Sequence, residues 1–334
     1  VHAPEGFGDY ELIVRAGGAV VELGAALLDG AVRLPRSLPS LLLGSAGLVL
    51  GLLAIAVVHS AAVPSLGHGD EALSFQRLLE AGPSLTPRTM RIALALAAAG
   101  FGLKVGLFPL HVWKPDAYAS APGPVTAVLA GAAVLVPLEA LLRFGALTSA
   151  AGEAAFVSEL FVAGGLVSIV AALFLMVRER DLRRILAFTS VEHLGLILLA
   201  FGLGPDSARG GLLHLVANGV LKALAFGMLG LVVAERGSAD SQSGAGLYHR
   251  SFGLAAVFLV VIAAGLGFPP FGMFTSELTI LRALFGDGHL AIGLVVLAVL
   301  AAIFGLVAAA TLRVVFARAD EAPEPLERHG RAAL

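Results

Sequence analysis

Gly211-Leu-Leu-His214-Leu-Val-Ala-Asn218-Gly-Val-Leu-Lys222-Ala-Leu-Ala-Phe-Gly-Met-Leu-Gly-Leu-Val-Val-Ala234 is the stretch that decides the fold. It is an apolar run long enough to cross a bilayer, which takes about 20 residues as a helix. His214, Asn218 and Lys222 recur at i, i+4 and i+8, so they share one helix face, about 6 Å apart per step. A lysine at bilayer depth costs at least roughly 2.5–3.5 kcal/mol on insertion scales and so faces a partner or water. The run reads as a membrane helix whose polar stripe can hold a chain of waters.

The rest of the chain has the same character. Of its 334 residues, 58% are hydrophobic and 14% charged, and the mean hydropathy is +0.91. Soluble domains carry about 25% charged residues. A net charge of −2 gives no reason to expect a nucleic-acid partner. The absence of cysteine excludes a disulfide framework, a thiol nucleophile and a cysteine-held iron–sulfur cluster in these residues. Val1 to Gly18 lacks the basic, apolar and small-residue order of a signal peptide.

Apolar runs fall at about 38–58, 90–108, 124–147, 154–177, 185–204, 211–234, 252–283 and 289–316. The segment from Gly18 to Val32 is apolar but short, and fits a re-entrant or interfacial piece. No β-barrel alternation appears, which leaves helices as the membrane-compatible choice. The expected fold is an all-α polytopic membrane protein of about seven to eight transmembrane helices, two of them broken by proline. With the N-terminus inside, most basic residues fall on the inner side, among them Arg33, Arg36, Lys114, Arg236 and Arg313. The loop Arg178-Glu-Arg-Asp-Leu-Arg-Arg184 is the strongest inner marker.

Further polar residues interrupt the other apolar runs: Lys104, Glu139, Glu192, His193 and Glu277. Lys104 and Glu277 sit beside two proline breaks, one at Pro109 and one at Pro269-Pro270. Proline removes an intrahelical hydrogen bond and frees a carbonyl. In a membrane that is tolerated where the backbone lines a hydrated cavity or is packed by protein. Broken helices at corresponding places point to repeat-built transporters.

The segment Lys104-Val-Gly-Leu-Phe-Pro109-Leu-His111-Val-Trp113-Lys-Pro115-Asp-Ala-Tyr-Ala-Ser-Ala-Pro122 resembles the signature of the antiporter-like membrane subunits of respiratory complex I and its relatives. Matches continue in order through Arg180 to Gly195, His214 to Lys222 and the Pro269 motif, so the resemblance covers residues 38 to about 316. Ser190 to Gly195 and Pro269 to Glu277 look most like the hydrogenase-4 and formate-hydrogenlyase branch; Mrp-type antiporters share the domain. The resemblance implies inverted five-helix repeats and a polar axis through the membrane centre. It divides this chain into an atypical segment 1–37, a partial first repeat 38–147 with three helices, a second repeat 148–317 with five, and a cytoplasmic tail 318–334.

By that resemblance the proton relay comprises Lys104, Lys222, His214, Glu277, Glu139, Glu192 and His193, with Pro109, His111, Trp113, Pro115, Pro269 and Pro270 shaping the breaks. His111 and Trp113 read as structural, and Lys104 has a plainer alternative as a snorkelling helix-end lysine. Glu192 and His193 fit either a relay or local pairing with Arg183 and Arg184. Three departures stand out. Asn218 stands where the family usually has histidine, and Leu135 where many members have a lysine. The family's helices before residue 38, with the glutamate that pairs Lys104, have no match here; Glu11 and Glu22 do not fit the pattern. The implied function is a proton-translocating membrane subunit of a respiratory-type redox complex. Its partners are other membrane and peripheral subunits and the lipid bilayer, with no nucleic acid, no cofactor and no metal of its own. The implied location is a bacterial-type inner membrane, multi-pass, with the C-terminus cytoplasmic. The alternatives are a cation/proton antiporter or inorganic-carbon transport subunit, or a truncated inactive paralogue, whether shortened naturally or by a frame error.

The orientation is directly testable because the chain has no native cysteine. Single cysteines at Glu179 and Ala332 are expected to resist a membrane-impermeant thiol reagent in intact cells. Labelling of both from outside would reverse the assigned topology.

Overall fold

A computed structural model describes residues 38–67, 70–243 and 246–317. The chain divides into two units, Val1–Ser45 and Ala46–Leu334, and the second holds the helical bundle. Segment 1–37, with Glu11 and Glu22, and tail 318–334 lie outside the described residues.

Among the described residues every regular element is helical, and one isolated bridge, between Asp181 and Asp240, is the sole β pairing. The helices are α1 (Leu38–Leu66), α2 (Phe75–Glu80), α3 (Pro87–Val105), α4 (Lys114–Ser120), α5 (Gly123–Val128), α6 (Leu135–Thr148), α7 (Ala154–Met176), α8 (Leu182–Leu203), α9 (Pro205–Arg236), α10 (Leu247–Arg250), α11 (Phe252–Gly265), α12 (Gly272–Gly286) and α13 (Leu290–Phe316). A π-turn, Leu129–Ala133, joins α5 to α6. Five segments are long and apolar enough to cross a membrane: Ala46–Leu66, Gly123–Met176, Leu182–Leu203, Pro205–Arg236 and Leu290–Phe316. The second would run about 80 Å if straight, far beyond a hydrocarbon core of about 30 Å. It bends at Gly152, whose φ of +89° and ψ of 8° are not helical.

The protein is assembled around α8. Of its apolar stretch 94% is buried, against 28–39% for the other spanning segments. Those others turn Val49, Val136, Phe174, Val220 and Leu294 outward, as a bilayer solvent requires. α8 feeds both apolar clusters: Ile185, Leu186 and Val191 pack with α9 and α13, and Leu194, Ile197 and Leu198 with α3 and α6. Helices pack in lipid through small residues that let backbones approach. A Cβ on Gly165 of α7 would lie 2.5 Å from the Gly195 carbonyl of α8, and one on Gly195 would lie 2.8 Å from the Gly165 carbonyl.

Loops at one end are tied by backbone and charge. Leu182 N–H donates to Ala239 O and Ser241 N–H to Arg180 O. Asp181 caps α8 by accepting from Arg183 N–H at 2.7 Å. Arg184 bridges Asp116 at 2.5 Å and Glu179 at 2.8 Å. Partial burial pushes the Glu179 carboxyl up. The backbone N–H groups of Asp181 and Arg180, with the Arg184 guanidinium, outweigh that and hold it below its ordinary value. The resulting stabilisation is present above the ordinary carboxylate range and is lost as pH falls through the lowered value.

The chain is interrupted at Pro109 and at Pro269-Pro270, as expected. α3 ends at Gly106, in the left-handed region at φ +75°, and the chain turns through Leu107–Trp113 before α4. α11 ends at Gly265 and α12 begins at Gly272. Lys114, counted with the inner-loop cations, is 0% exposed. The chain passes from the first break into α4, whose Lys114, Pro115 and Tyr118 are buried and whose exposed Asp116 pairs with Arg184.

Because Gly165 and Gly195 leave no room for a Cβ, Gly165→Val is expected to destabilise the protein by roughly 1–3 kcal/mol. The measurement is the thermal unfolding midpoint in detergent. A midpoint equal to the wild type would contradict the close approach of α7 and α8.

Candidate functional site

A helix with no outward face must satisfy its polar side chains inside the protein. α8 carries Thr189, Ser190, Glu192 and His193, all buried. α9 lies against it and presents His214, Asn218 and Lys222, also buried. α12 adds Ser276 and Glu277, just after the second break.

These side chains gather in one place, and two hydrogen-bonded groups run through it: Ser276–His214–His193 and Thr189–Lys222. Ser276 Oγ donates to Met273 O at 2.7 Å, which commits its proton. His214 Nδ1, 2.9 Å from Ser276 Oγ, is then the donor of that contact. A neutral His214 therefore has a bare Nε2, and His193 Nδ1–H donates to it at 3.1 Å. Glu192 Oε2 lies 3.3 Å from the same His193 Nδ1, while Glu192 Oε1 has no protein partner. Lys222 Nζ donates to Thr189 Oγ1 and, at 3.4 Å, to Leu186 O. Glu192 is within electrostatic reach of both Lys222 and Glu277.

Asn218 sits between His214 and Lys222 on α9 and leaves its Oδ1 without a protein partner. A cavity of about 20 Å³ lies beside it, lined by Thr189, His193, Asn218 and Lys222. That is room for about one water, with polar groups to hold it. Two of the buried oxygens without a protein partner, Glu192 Oε1 and Asn218 Oδ1, belong to residues of this same cluster.

The second break is shaped around Glu277. A Cβ on Gly267, at φ +70°, would lie 2.3 Å from Glu277 Oε2, so the carboxylate occupies the space a side chain would take. One ligand-type atom from each of His193, His214 and Glu277 falls within 4.8 Å of the others. The set could hold a cation by its spacing. Yet the two imidazole nitrogens already share a proton, and Lys222 adds positive charge beside both rings. The arrangement suits proton exchange better than metal binding.

The first break is built differently. Trp113 Nε1 donates to Leu103 O at 2.8 Å, and Lys114 Nζ donates to Val105 O at 2.7 Å. Two carbonyls left open at the end of α3 are thus taken by side chains from beyond the break. His111 is buried, stacked on Phe108 with ring centroids 5.3 Å apart, and its Nδ1 has no protein partner.

The expected relay residues therefore separate. His193, His214, Glu192, Lys222 and Glu277 come together. Lys104 is half-buried on α3, and no ion pair or hydrogen bond among the described residues joins it to the cluster. Glu139 turns outward on α6, 56% exposed, and pairs with Arg143 one turn on. Its helical phase separates it from the cluster. Glu192 does not pair with the Arg183 and Arg184 side. Arg183 donates to Ala119 O, and Arg184 is taken by Asp116 and Glu179. Sequence reasoning missed Thr189 and Ser276 as members. Hydroxyls are too common in membrane helices to signal a site.

The transmembrane family model described as NADH:quinone oxidoreductase/Mrp antiporter matches residues 32–305. The hydrogenase-4 component F homolog of Methylacidiphilum infernorum is 35% identical over 275 residues, 80% of this chain and 57% of that protein. An NADH-quinone oxidoreductase subunit N 2 of Syntrophobacter fumaroxidans is 30% identical over 205 residues, 61% of this chain and 43% of its own length. The chain spans about half the length of the curated relatives it matches. The fold is shared with a chain of the membrane-bound sulfane sulfur reductase, an archaeal respiratory membrane complex (TM-score 0.74, 24% identity, 87% of this chain and 58% of that one). It is also shared with a chain of the Mrp complex from Dietzia sp. (TM-score 0.70, 22% identity, 82% and 51%). A bundle built around a buried polar helix, with two broken helices and this family match over most of its length, belongs to the NADH:quinone oxidoreductase/Mrp antiporter transmembrane family.

Proposed function

We propose that this chain is a proton-translocating membrane subunit of a respiratory-type redox complex of the hydrogenase-4 or complex I kind. It works beside other membrane and peripheral subunits, with the 178–184 loop on the cytoplasmic side. The observation that carries the proposal is the continuous buried chain Ser276–His214–His193–Glu192, with Lys222 across a water-sized cavity. Residues 38–147 and 148–317 act as the two repeats, and Lys104 serves the first as Lys222 serves the second.

In this scheme Lys222 is the loading group. Its ammonium is held by Thr189 and attracted by Glu192. When the proton leaves, it crosses the cavity water to His193. Each imidazole accepts a proton at one nitrogen and releases one from the other, so the charge passes to His214. Ser276 and Glu277 receive it at the second break. A change in the distance between Lys222 and its carboxylate, driven by the redox partner, sets the direction of loading.

Proton uptake by membrane vesicles holding the native complex tests this. Lys222→Ala, and separately Lys104→Ala, are expected to slow uptake on the order of 10²-fold with normal protein level. Lys222→Arg and Lys104→Arg fail as well, because guanidinium does not release its proton. Asn218→His is expected to be tolerated, since an imidazole keeps the polar face and adds a titrating group. Uptake at the wild-type rate in Lys222→Arg would reduce Lys222 to a fixed charge and reject the scheme. Uptake that requires sodium would favour a cation/proton antiporter instead.

A further inference from the structure

Among the described residues, Lys114 is the one cation of the inner-loop set that the structure encloses completely, with no exposed surface. Its Nζ donates to Val105 O at 2.7 Å and lies 5.8 Å from the centroid of the Tyr118 ring. The stem packs against the first break, where a Cβ on Gly106 would lie 2.9 Å from Lys114 Cδ. Among the described residues no ion pair joins it to a carboxylate, and the Tyr118 ring beneath it meets Phe226 edge-on at 5.1 Å, one turn past Lys222 on α9. Glu192 is the carboxylate that attracts Lys222.

Capping a carbonyl does not require an ammonium. A glutamine or a tryptophan N–H would do it without burying a charge, as Trp113 does at Leu103 O. Two buried lysines facing one compensating carboxylate cannot both stay charged without a large desolvation cost, because each desolvated cation opposes the other. The pair therefore favours one proton shared between two amines.

Lys114 also has an approach from outside the cluster. A cavity of about 230 Å³, lined by Tyr118, Ser120, Thr126, Arg183 and Phe226, lies on the Arg183 side. It holds several waters by volume and has hydroxyls to bind them. Tyr118 both lines this cavity and carries Lys114 over its ring. The Tyr118 hydroxyl faces Leu129 O, at 3.5 Å, where the π-turn Leu129–Ala133 begins. Single π-turns are frequent at functional sites in helices.

We infer that Lys114 is a second proton-carrying lysine of the axis, exchanging one positive charge with Lys222 and supplied from the Arg183-side cavity past Tyr118. The inference rests on the proton-translocation function proposed above. In the step, an N–H bond of the Lys114 ammonium breaks, the proton moves through water, and an N–H bond forms on the neutral amine of Lys222. The charge of the pair is unchanged, and Lys114 is reloaded from the cavity. Lys114 thereby supplies a lysine to a chain that has Leu135 in the third span. Leu135 packs against Gly219, one turn before Lys222, so an amine placed there faces the same helix.

The test uses vesicles holding the native complex, with Lys114→Gln, Lys114→Met, Lys114→Arg and the double variant Lys114→Gln/Leu135→Lys, and protein level measured by immunoblot. All four are expected to accumulate. The three single variants are expected to lose about tenfold or more in proton uptake. The double variant is expected to regain part of it, which a packing role would not allow. Wild-type uptake in Lys114→Gln or Lys114→Met would overturn the inference, because no amine is then needed. Wild-type uptake in Lys114→Arg would overturn it too, because a fixed charge then suffices. Loss of the protein from the membrane in every single variant would assign Lys114 to capping α3 and also overturn it. Absence of uptake in the wild type rejects the proposed function itself, and is thereby distinguished from failure of this step.

Discussion

A bilayer core offers no hydrogen bonds, so each polar group placed there must find its partner inside the protein. That constraint organises the molecule. α8 has almost no outward face, yet it carries a glutamate, a histidine and two hydroxyl residues. They are tolerated only because α9 and α12 present His214, Lys222 and Ser276 to the same space. The small residues that let α7 approach α8 through Gly165 and Gly195 are part of the same solution, since they seal the helix that holds the site.

The two breaks obey the same rule by different means. At the end of α3 the open carbonyls of Leu103 and Val105 are filled by Trp113 and Lys114 from the segment beyond the break. At the end of α11 the turn through Gly267 makes room for the Glu277 carboxylate. In each case an ionisable side chain packs against the break, Lys114 at the first and Glu277 at the second. Two of the buried polar atoms without a protein partner, Glu192 Oε1 and Asn218 Oδ1, sit on residues of the cluster, and Asn218 lines the water-sized cavity. A buried polar group in that state is normally satisfied by water, and an exchangeable water is what a proton path needs between Lys222 and His193.

Electrostatics then limits how the site can be charged. Lys222 has a nearby carboxylate and Lys114 has none among the described residues. Glu192 is itself opposed by Glu277. Charges of both signs are thus in short supply of partners, and moving one proton changes the balance at several residues. Such a cluster responds readily to a distant change in charge.

Hydropathy and proline are local properties, and so the sequence by itself determined the membrane class, the approximate helices, both breaks and the stripe His214, Asn218 and Lys222. The family likeness of the segments around Lys104, Glu192 and Pro269 was equally legible, because it lies in contiguous motifs. Which stripe meets which was not. The bond between His193 and His214, the outward turn of Glu139 toward Arg143, the separation of Glu192 from Arg183 and Arg184, and the enclosure of Lys114 all depend on how helices rotate against one another. Spacing along one helix sets only which residues share a face. The direction that face takes is decided by packing between helices far apart in the chain, and only the tertiary structure contains it.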